Sequence, residues 1–336
     1  MNPIKKCMGV MLVWSIMLSS ISTYAAEKLV LKDEIARTAQ YLTKKVSKPQ
    51  VNSVGGEWLI MALARSEQEV PKAYYENYYK EVEAYVKAHQ GILHDKKYTE
   101  YSRVILALTS IGKDPKNVAG YNLLTPLGDF NKSIWQGVNG PIFALIALDS
   151  YPYTMPVNKE AKVQATREMY IEEILKSQLA DGGFALASTS AEPDMTAMAL
   201  QALAKYTDNK KVAKAVNRGL KRLSLMQNEK GGYTYLGKEN SESVIQVIMA
   251  LCELGIDIND SRFVKNGYTL LDNLMTFRKS DGSFIHAKGD LESDGMATEQ
   301  ALYAMVNLRR IQNKQNSFYN MKDVKTSKTQ KKRNLK

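Results

Sequence analysis

Apolar residues along this chain recur at the three-to-four spacing of helices, and the helical stretches recur in turn. Six of them close on the same pair: Ala62-Leu63, Ala107-Leu108, Ala147-Leu148, Ala202-Leu203, Ala250-Leu251 and, with Met for Leu, Ala304-Met305. The intervals are 45, 40, 55, 48 and 54 residues, the period of an array of helix hairpins. Two kinds of helix alternate. The stretch 209–227 is amphipathic, with Val212, Val216, Leu220 and Leu223 on one face and Lys210, Lys214, Asn217 and Lys221 on the other, as in a helix that covers a core. The run Val244–Cys252 within 242–255 is interrupted only by Gln246, and such a helix is surrounded by others or lines an enclosed space. The pattern predicts outer helices over about 28–46, 72–89, 116–125, 159–178, 209–227 and 261–278, and inner helices over about 56–65, 98–111, 139–150, 194–206, 242–255 and 296–312.

An open array of hairpins requires polar repeats at its ends. Here the first inner helix (Trp58-Leu-Ile-Met-Ala-Leu63) and the last (Ala301-Leu-Tyr-Ala-Met-Val306) are as apolar as the middle ones. Closing the row into a ring buries both, so the expected fold is an all-α (α/α)6 toroid. A turn recurs between outer and inner helices: Gln178-Leu-Ala-Asp-Gly-Gly-Phe184, Gln227-Asn-Glu-Lys-Gly-Gly-Tyr233 and Arg278-Lys-Ser-Asp-Gly-Ser-Phe284. Its glycines allow the tight exit from a helix. Its aromatic plugs the gap between hairpins, and its Gln satisfies backbone groups at the helix end.

The ends of the chain differ from its body. Lys5 and Lys6, the apolar run Cys7–Leu18 and the small residues up to Ala26 form a pattern expected of a cleaved signal peptide over 1–26, too short to span a membrane. Export leaves Cys252 as the single thiol of a toroid over 27–313, which excludes an internal disulfide framework and cysteine metal clusters. Residues 314–336 carry eight basic side chains against Asp323, seven of the formal +11 charges. This tail is expected to be disordered and to contact anionic cell-envelope polymers or headgroups. A secreted or surface-associated chain with little net charge on its folded part has no expected nucleic-acid partner.

The repeated Gln-x-x-x-Gly-x-aromatic turn before an inner helix resembles the degenerate repeats of the squalene cyclase and prenyltransferase toroid superfamily. Asp194-Met-Thr-Ala-Met-Ala199 resembles a stretch of the cobalamin carriers, intrinsic factor and transcobalamin, and Ser241-Glu-Ser243 and Met296–Leu302 resemble helix starts of exported bacterial toroid proteins. The resemblance implies the toroid fold and directs attention to the chemistries it hosts. Class II terpene cyclases protonate an alkene with the central acid of an Asp-x-Asp-Asp motif. Glu192-Pro-Asp-Met195 is the matching segment, with Glu192 and Asp194 on the first acid and the donor and Met195 in place of the last. The expected role of Asp194 is nevertheless to cap its helix, accepting backbone hydrogen bonds. The zinc set of the prenyltransferases and the thioester element of other toroids are missing, so no metal or cofactor is expected. Polysaccharide-acting (α/α)6 enzymes use paired carboxylates, for which Glu100, Glu242, Asp294 and Glu299 are candidates at inner-helix starts, where acidic groups also offset the helix dipole.

Alignment on the Ala-Leu pairs places Trp58, Arg103, Phe143, Met198, Gln246 and Gln300 at one equivalent barrel position. With Glu242 and Glu299 they are the expected ligand-binding residues. Six parallel helix starts put partial positive charge at one mouth. The resulting expectation is an exported, non-catalytic toroid that binds a small amphiphilic or anionic molecule (isoprenoid or corrinoid-like) or a surface partner. A terpene cyclase-like enzyme using Asp194 is the alternative, and a polysaccharide-acting enzyme the third reading.

Overall fold

The computed structural model describes residues 31–325; the expected signal peptide and the last residues of the basic tail lie outside them. Six helices form the inner ring: α2 (Trp58–Arg65), α4 (Thr99–Ser110), α6 (Asn139–Asp149), α8 (Pro193–Leu203), α10 (Ser241–Glu253) and α12 (Gly295–Gln312). Each packs against the next, and α12 returns to α2, so the ring is closed. The outer layer comprises α1 (31–45), α3 (Lys72–Ala88), the one-turn α5 (Phe130–Ser133), α7 (Arg167–Lys176), α9 (Lys210–Met226) and α11 (Leu270–Met275). The fold is the all-α toroid expected from the repeats. The apolar inner helices are buried as their composition demands: along α10 all residues from Ser243 to Cys252 are buried, and α6 is buried from Gly140 to Leu148.

The recurring turns act as staples. The Gln178 side-chain amide donates to Gly182 O and Ala215 O, both at 2.8 Å. Gln227 repeats the pattern onto Gly231 O at 3.0 Å and Phe263 O at 2.9 Å. In each case one amide ties its own loop to the neighbouring outer layer. In the third copy Arg278 replaces Gln and pairs with the buried Glu34 of α1, drawing the last repeat onto the first. Phe184, Tyr233 and Phe284 are fully buried plugs.

The outer layer departs from expectation where turn chemistry overrides apolar spacing. Residues 116–125 are not a helix. Val118 and Tyr121 pair across a tight turn whose central residues, Ala119 and Gly120, are left-handed (φ +50° and +91°), and helical turns resume only at Thr125. The expected helix 159–178 shortens to α7, which starts at the cap Thr166. The helix expected over 261–278 shortens to α11, because Lys265 and Tyr268 bracket a similar turn with Asn266 and Gly267 left-handed.

The folded unit also runs past its expected end at residue 313. Phe318, Tyr319 and Met321 are buried, Met321 N donates to Ser150 O at 2.7 Å, and Phe318 N donates to the Asn307 side chain at 2.8 Å. Asp323 is gripped by Arg65 of α2 and Arg310 of α12. The first part of the basic tail is therefore ordered. Its apolar residues pack against the C-terminal ends of the inner helices and close that end of the barrel. No helix among the described residues is long and apolar enough to cross a membrane.

Candidate functional site

The opposite end, where the inner helices start, is open. A cavity of about 520 Å³ lies over the starts of α8, α10 and α12. Asp194, Glu242 and Met296 hold one repeat position at its rim, and Met198, Gln246 and Gln300 hold another, four residues further along each helix. The helical period places the second set directly beneath the first. A two-stranded hairpin, β1 (Thr234–Tyr235) and β2 (Lys238–Glu239), overhangs the mouth and contributes Tyr235, Leu236 and Lys238.

The rim is a set of side-chain pairs that cross from one repeat to the next. Ser243 of α10 donates to Asp194 of α8. His286 Nδ1 lies 2.8 and 2.9 Å from the two oxygens of Glu242. Tyr235 donates to Glu192 at 3.1 Å. Desolvation holds the Asp194 carboxyl above the usual aspartate range, against the Ser243 hydrogen bond. Glu242 is also raised by desolvation, and its pairing with His286 opposes the rise. The same pair raises the His286 imidazole, so protonated His286 and ionised Glu242 stabilise one another.

Asp194 is not the cap of α8. That place falls to Glu192, whose side chain makes no capping bond and is engaged by Tyr235 and by Leu186 N. Pro193 occupies the first helical position and carries no N–H, which moves Asp194 into the first turn and frees its carboxyl to face α10.

Below the rim the amide side chains bond to one another. Gln246 receives a bond from Gln201 at 3.0 Å and donates to Gln300 at 3.0 Å and to the Tyr303 hydroxyl. Both unexpected glutamines are thus committed largely to neighbouring helices, and their network forms the cavity floor. Trp58 packs on Phe143 and Tyr303, with ring centroids 5.8 and 5.9 Å apart. Of the residues expected to bind a ligand, Met198, Gln246, Gln300 and Glu242 meet in the cavity, together with Asp194. Trp58, Phe143, Arg103 and Glu299 do not line it. Trp58 and Phe143 pack on each other, Arg103 pairs with Glu57 and Glu100, and Glu299 accepts from Gly55 N at 2.7 Å. The carboxylates weighed for polysaccharide chemistry are likewise dispersed: Glu100 is tied to Arg103 and Asp294 caps α12 through Ala297 N.

His286 was not marked by the sequence as a site residue, because the three histidines are far apart in the chain. A signal exists: His286 stands two residues after the plug Phe284, as Tyr235 stands after Tyr233 and Leu186 after Phe184. That position points to the mouth, where Tyr235 and His286 each contact an acid of the preceding repeat.

Among the described residues no group of three or more His, Cys, Asp or Glu is arranged to hold a metal ion. Cys252 is buried and its thiol is pushed up by desolvation, which makes it a packing residue.

Comparison with known proteins supports the fold alone. No protein-family profile matches the sequence, and no curated protein matches it. Among solved structures, the ligand-free form of a variant of MstE, a type II terpene cyclase from Scytonema, superposes with a TM-score of 0.54 at 10% identity. The match covers 85% of this chain and 99% of that one. The likeness supports the terpene cyclase-like toroid, and nothing in it favours the cobalamin carriers over other toroids.

Proposed function

We propose that this protein is an exported, non-catalytic toroid that binds a small amphiphilic molecule at the open mouth. One observation carries the reading: the open mouth holds a mixed polar and apolar cavity that the packed aromatics of the barrel do not line. A cyclase has to enclose an isoprenoid in an aromatic chamber that stabilises carbocations. Here Trp58 packs on Phe143 and Tyr303, and none of the three lines the cavity, whose floor is the hydrogen-bonded amides of Gln246 and Gln300. The cavity instead combines apolar surface from Met198, Met296, Tyr235 and Leu236 with the polar groups of Asn240, Gln246 and Gln300. Leu236 is 86% and Met296 40% exposed at its edge, which suits the apolar part of a ligand.

The rim narrows the ligand. Helix starts favour anions, but Asp194 and Glu242 already occupy the starts of α8 and α10, and Glu242 already engages His286, so among the described lining residues Lys238 is the cation left to meet an anionic head group. The head group is therefore uncharged or cationic, able to bond to amides and carboxylates. An isoprenoid alcohol or amine fits this chemistry better than a diphosphate, and a corrinoid far exceeds a cavity of about 520 Å³. Secretion through residues 1–26 and contact of the outermost tail with an anionic envelope belong to the same reading. Lys314, Lys322 and Lys325 fall in the ordered part of the tail, leaving the basic residues after 325 for that contact.

The test is a thermal-shift and calorimetric screen of prenyl alcohols, prenyl amines and prenyl diphosphates. Alcohols or amines should stabilise the chain, and Glu242→Gln with Gln300→Leu should weaken the effect at least tenfold. Stabilisation by diphosphates alone, or by none of the three classes, would contradict the reading. The cyclase alternative is favoured by one feature, the desolvated Asp194 held by Ser243. It requires products from squalene or prenyl diphosphates that disappear in Asp194→Asn.

A further inference from the structure

The ring closes between its first and last repeats, and that seam has an unusual composition. Before α2 the chain makes a tight loop over Ser53–Glu57 in which Gly55 is left-handed (φ +75°). Any side chain at position 56 would lie 2.2 Å from Gln50 O. The loop is fixed from within by Gln50 N to Gly55 O at 3.1 Å and Glu57 N to Asn52 O at 3.0 Å. Its tie to α12 is the bond from Gly55 N to Glu299 Oε1. Both carboxylates of the seam, Glu57 and Glu299, are buried, at 0% and 1% exposure. Each has one satisfied oxygen, Glu57 Oε1 accepting from Tyr78 at 3.1 Å and Glu299 Oε1 from Gly55. Each also has one buried oxygen without a hydrogen-bond partner.

We propose that this pair of buried carboxyl groups is a proton-controlled latch, which holds the first repeat against the last when protonated and loosens the seam when both groups ionise. The groups that face the pair come from every neighbouring element. From α4, Arg103 Nε stands 3.7 Å from Glu57 Oε2 and Glu100 is within its field; from α3 come Tyr78 and Tyr74; from the start of α12, Asp294. Among the described residues the cation that faces the pair is Arg103, which is already shared with Glu100. Full ionisation of the seam therefore leaves buried negative charge in excess, which is costly unless water reaches it. Burial pushes Glu57 up to about 7 and Glu299 to about 8, the latter with a contribution from Glu57.

The sign follows from proton uptake. Both carboxyls bind protons more tightly folded than unfolded, so the closed seam is favoured at low pH. That advantage declines as pH rises from the ordinary carboxylate range through 7 to 8, and no further loss follows above it. Glu57 directly precedes Trp58, which lies against Phe143 and Tyr303. Loosening the seam therefore exposes the barrel interior, independently of what the mouth binds.

Trp58 supplies the readout. In a Trp135→Phe background it is the single tryptophan after residue 26. Between pH 6 and 9 its emission should shift to the red with a midpoint near 7 to 8, and amide protection in 50–58, taken relative to the intrinsic exchange rate at each pH, should fall about tenfold or more. Helical circular dichroism should stay constant. Glu57→Gln and Glu299→Gln should each move the midpoint, and together remove the transition. Constant emission and constant amide protection in the chain with Glu57 and Glu299 intact would overturn the latch, whether or not the variants fold. A transition that both substitutions leave unchanged, or one accompanied by global loss of helix, would overturn it too.

Discussion

His286 shows how little one residue reveals until its neighbour is known. In the sequence it is one of three scattered histidines; in the fold it meets Glu242 from the helix one repeat back. The pairing raises the imidazole, so this contribution is complete below the unfolded value of about 6.5 and is lost as pH rises through the higher folded value. NMR titration should give His286 a midpoint above 6.5, and Glu242→Gln should lower it; an unchanged midpoint would mean that the pair does not form in solution. Asp194 is the complementary case. Its likeness to a cyclase acid was legible, but its partner was not, since Ser243 lies 49 residues away. The cap assignment failed on a local detail, Pro193 at the first helical position, which shifts the cap to Glu192.

Elements were legible in proportion to how far burial determined them. All six inner helices form within a few residues of their expected bounds, because apolar spacing and position in the ring demand the same thing. The outer layer, half exposed, is decided by turn chemistry, and 116–125 gives way to a left-handed turn at Ala119-Gly120. Close approach can also override propensity inside a helix. Glycine in a helix ordinarily costs about 1 kcal/mol relative to alanine, so Gly140→Ala in α6 appears favourable. A methyl group there would lie 1.8 Å from Ser133 O, and such overpacking costs about 1–3 kcal/mol. The substitution should therefore destabilise the chain by up to about 2 kcal/mol in urea unfolding; stabilisation would show that the contact relaxes. At α11, which is only one and a half turns long, the capping box of Thr269 and Asp272 fixes the start. Thr269→Ala should cost about 1 kcal/mol, read as a lower denaturation midpoint with an unchanged slope.

The whole molecule is a ring with a closed end and an open one. Its closure was readable from equally apolar first and last helices, but the means of closure was not. Arg278 reaches Glu34, Gly55 meets Glu299, and Asp323 bridges Arg65 and Arg310 across α2 and α12. The Asp323 bridge falls in a stretch whose charge suggests disorder, yet Phe318 and Met321 bury there. Removing one partner of a buried ion pair costs about 3–5 kcal/mol. With Asp323 about one-third exposed, solvent screening reduces this, and Asp323→Ala should cost about 2 kcal/mol. A cost under about 0.5 kcal/mol, typical of a surface pair, would mean that the tail does not brace the ring. The open end carries the functional claim, a mouth that binds without converting. The most direct measurement is native mass spectrometry of the purified chain with the prenyl alcohol or amine that stabilises it best, followed by analysis of the released ligand. The account predicts a one-to-one complex that Glu242→Gln with Gln300→Leu weakens, and recovery of the ligand unchanged. Recovery of a cyclised or otherwise altered product, lost in Asp194→Asn, would contradict it.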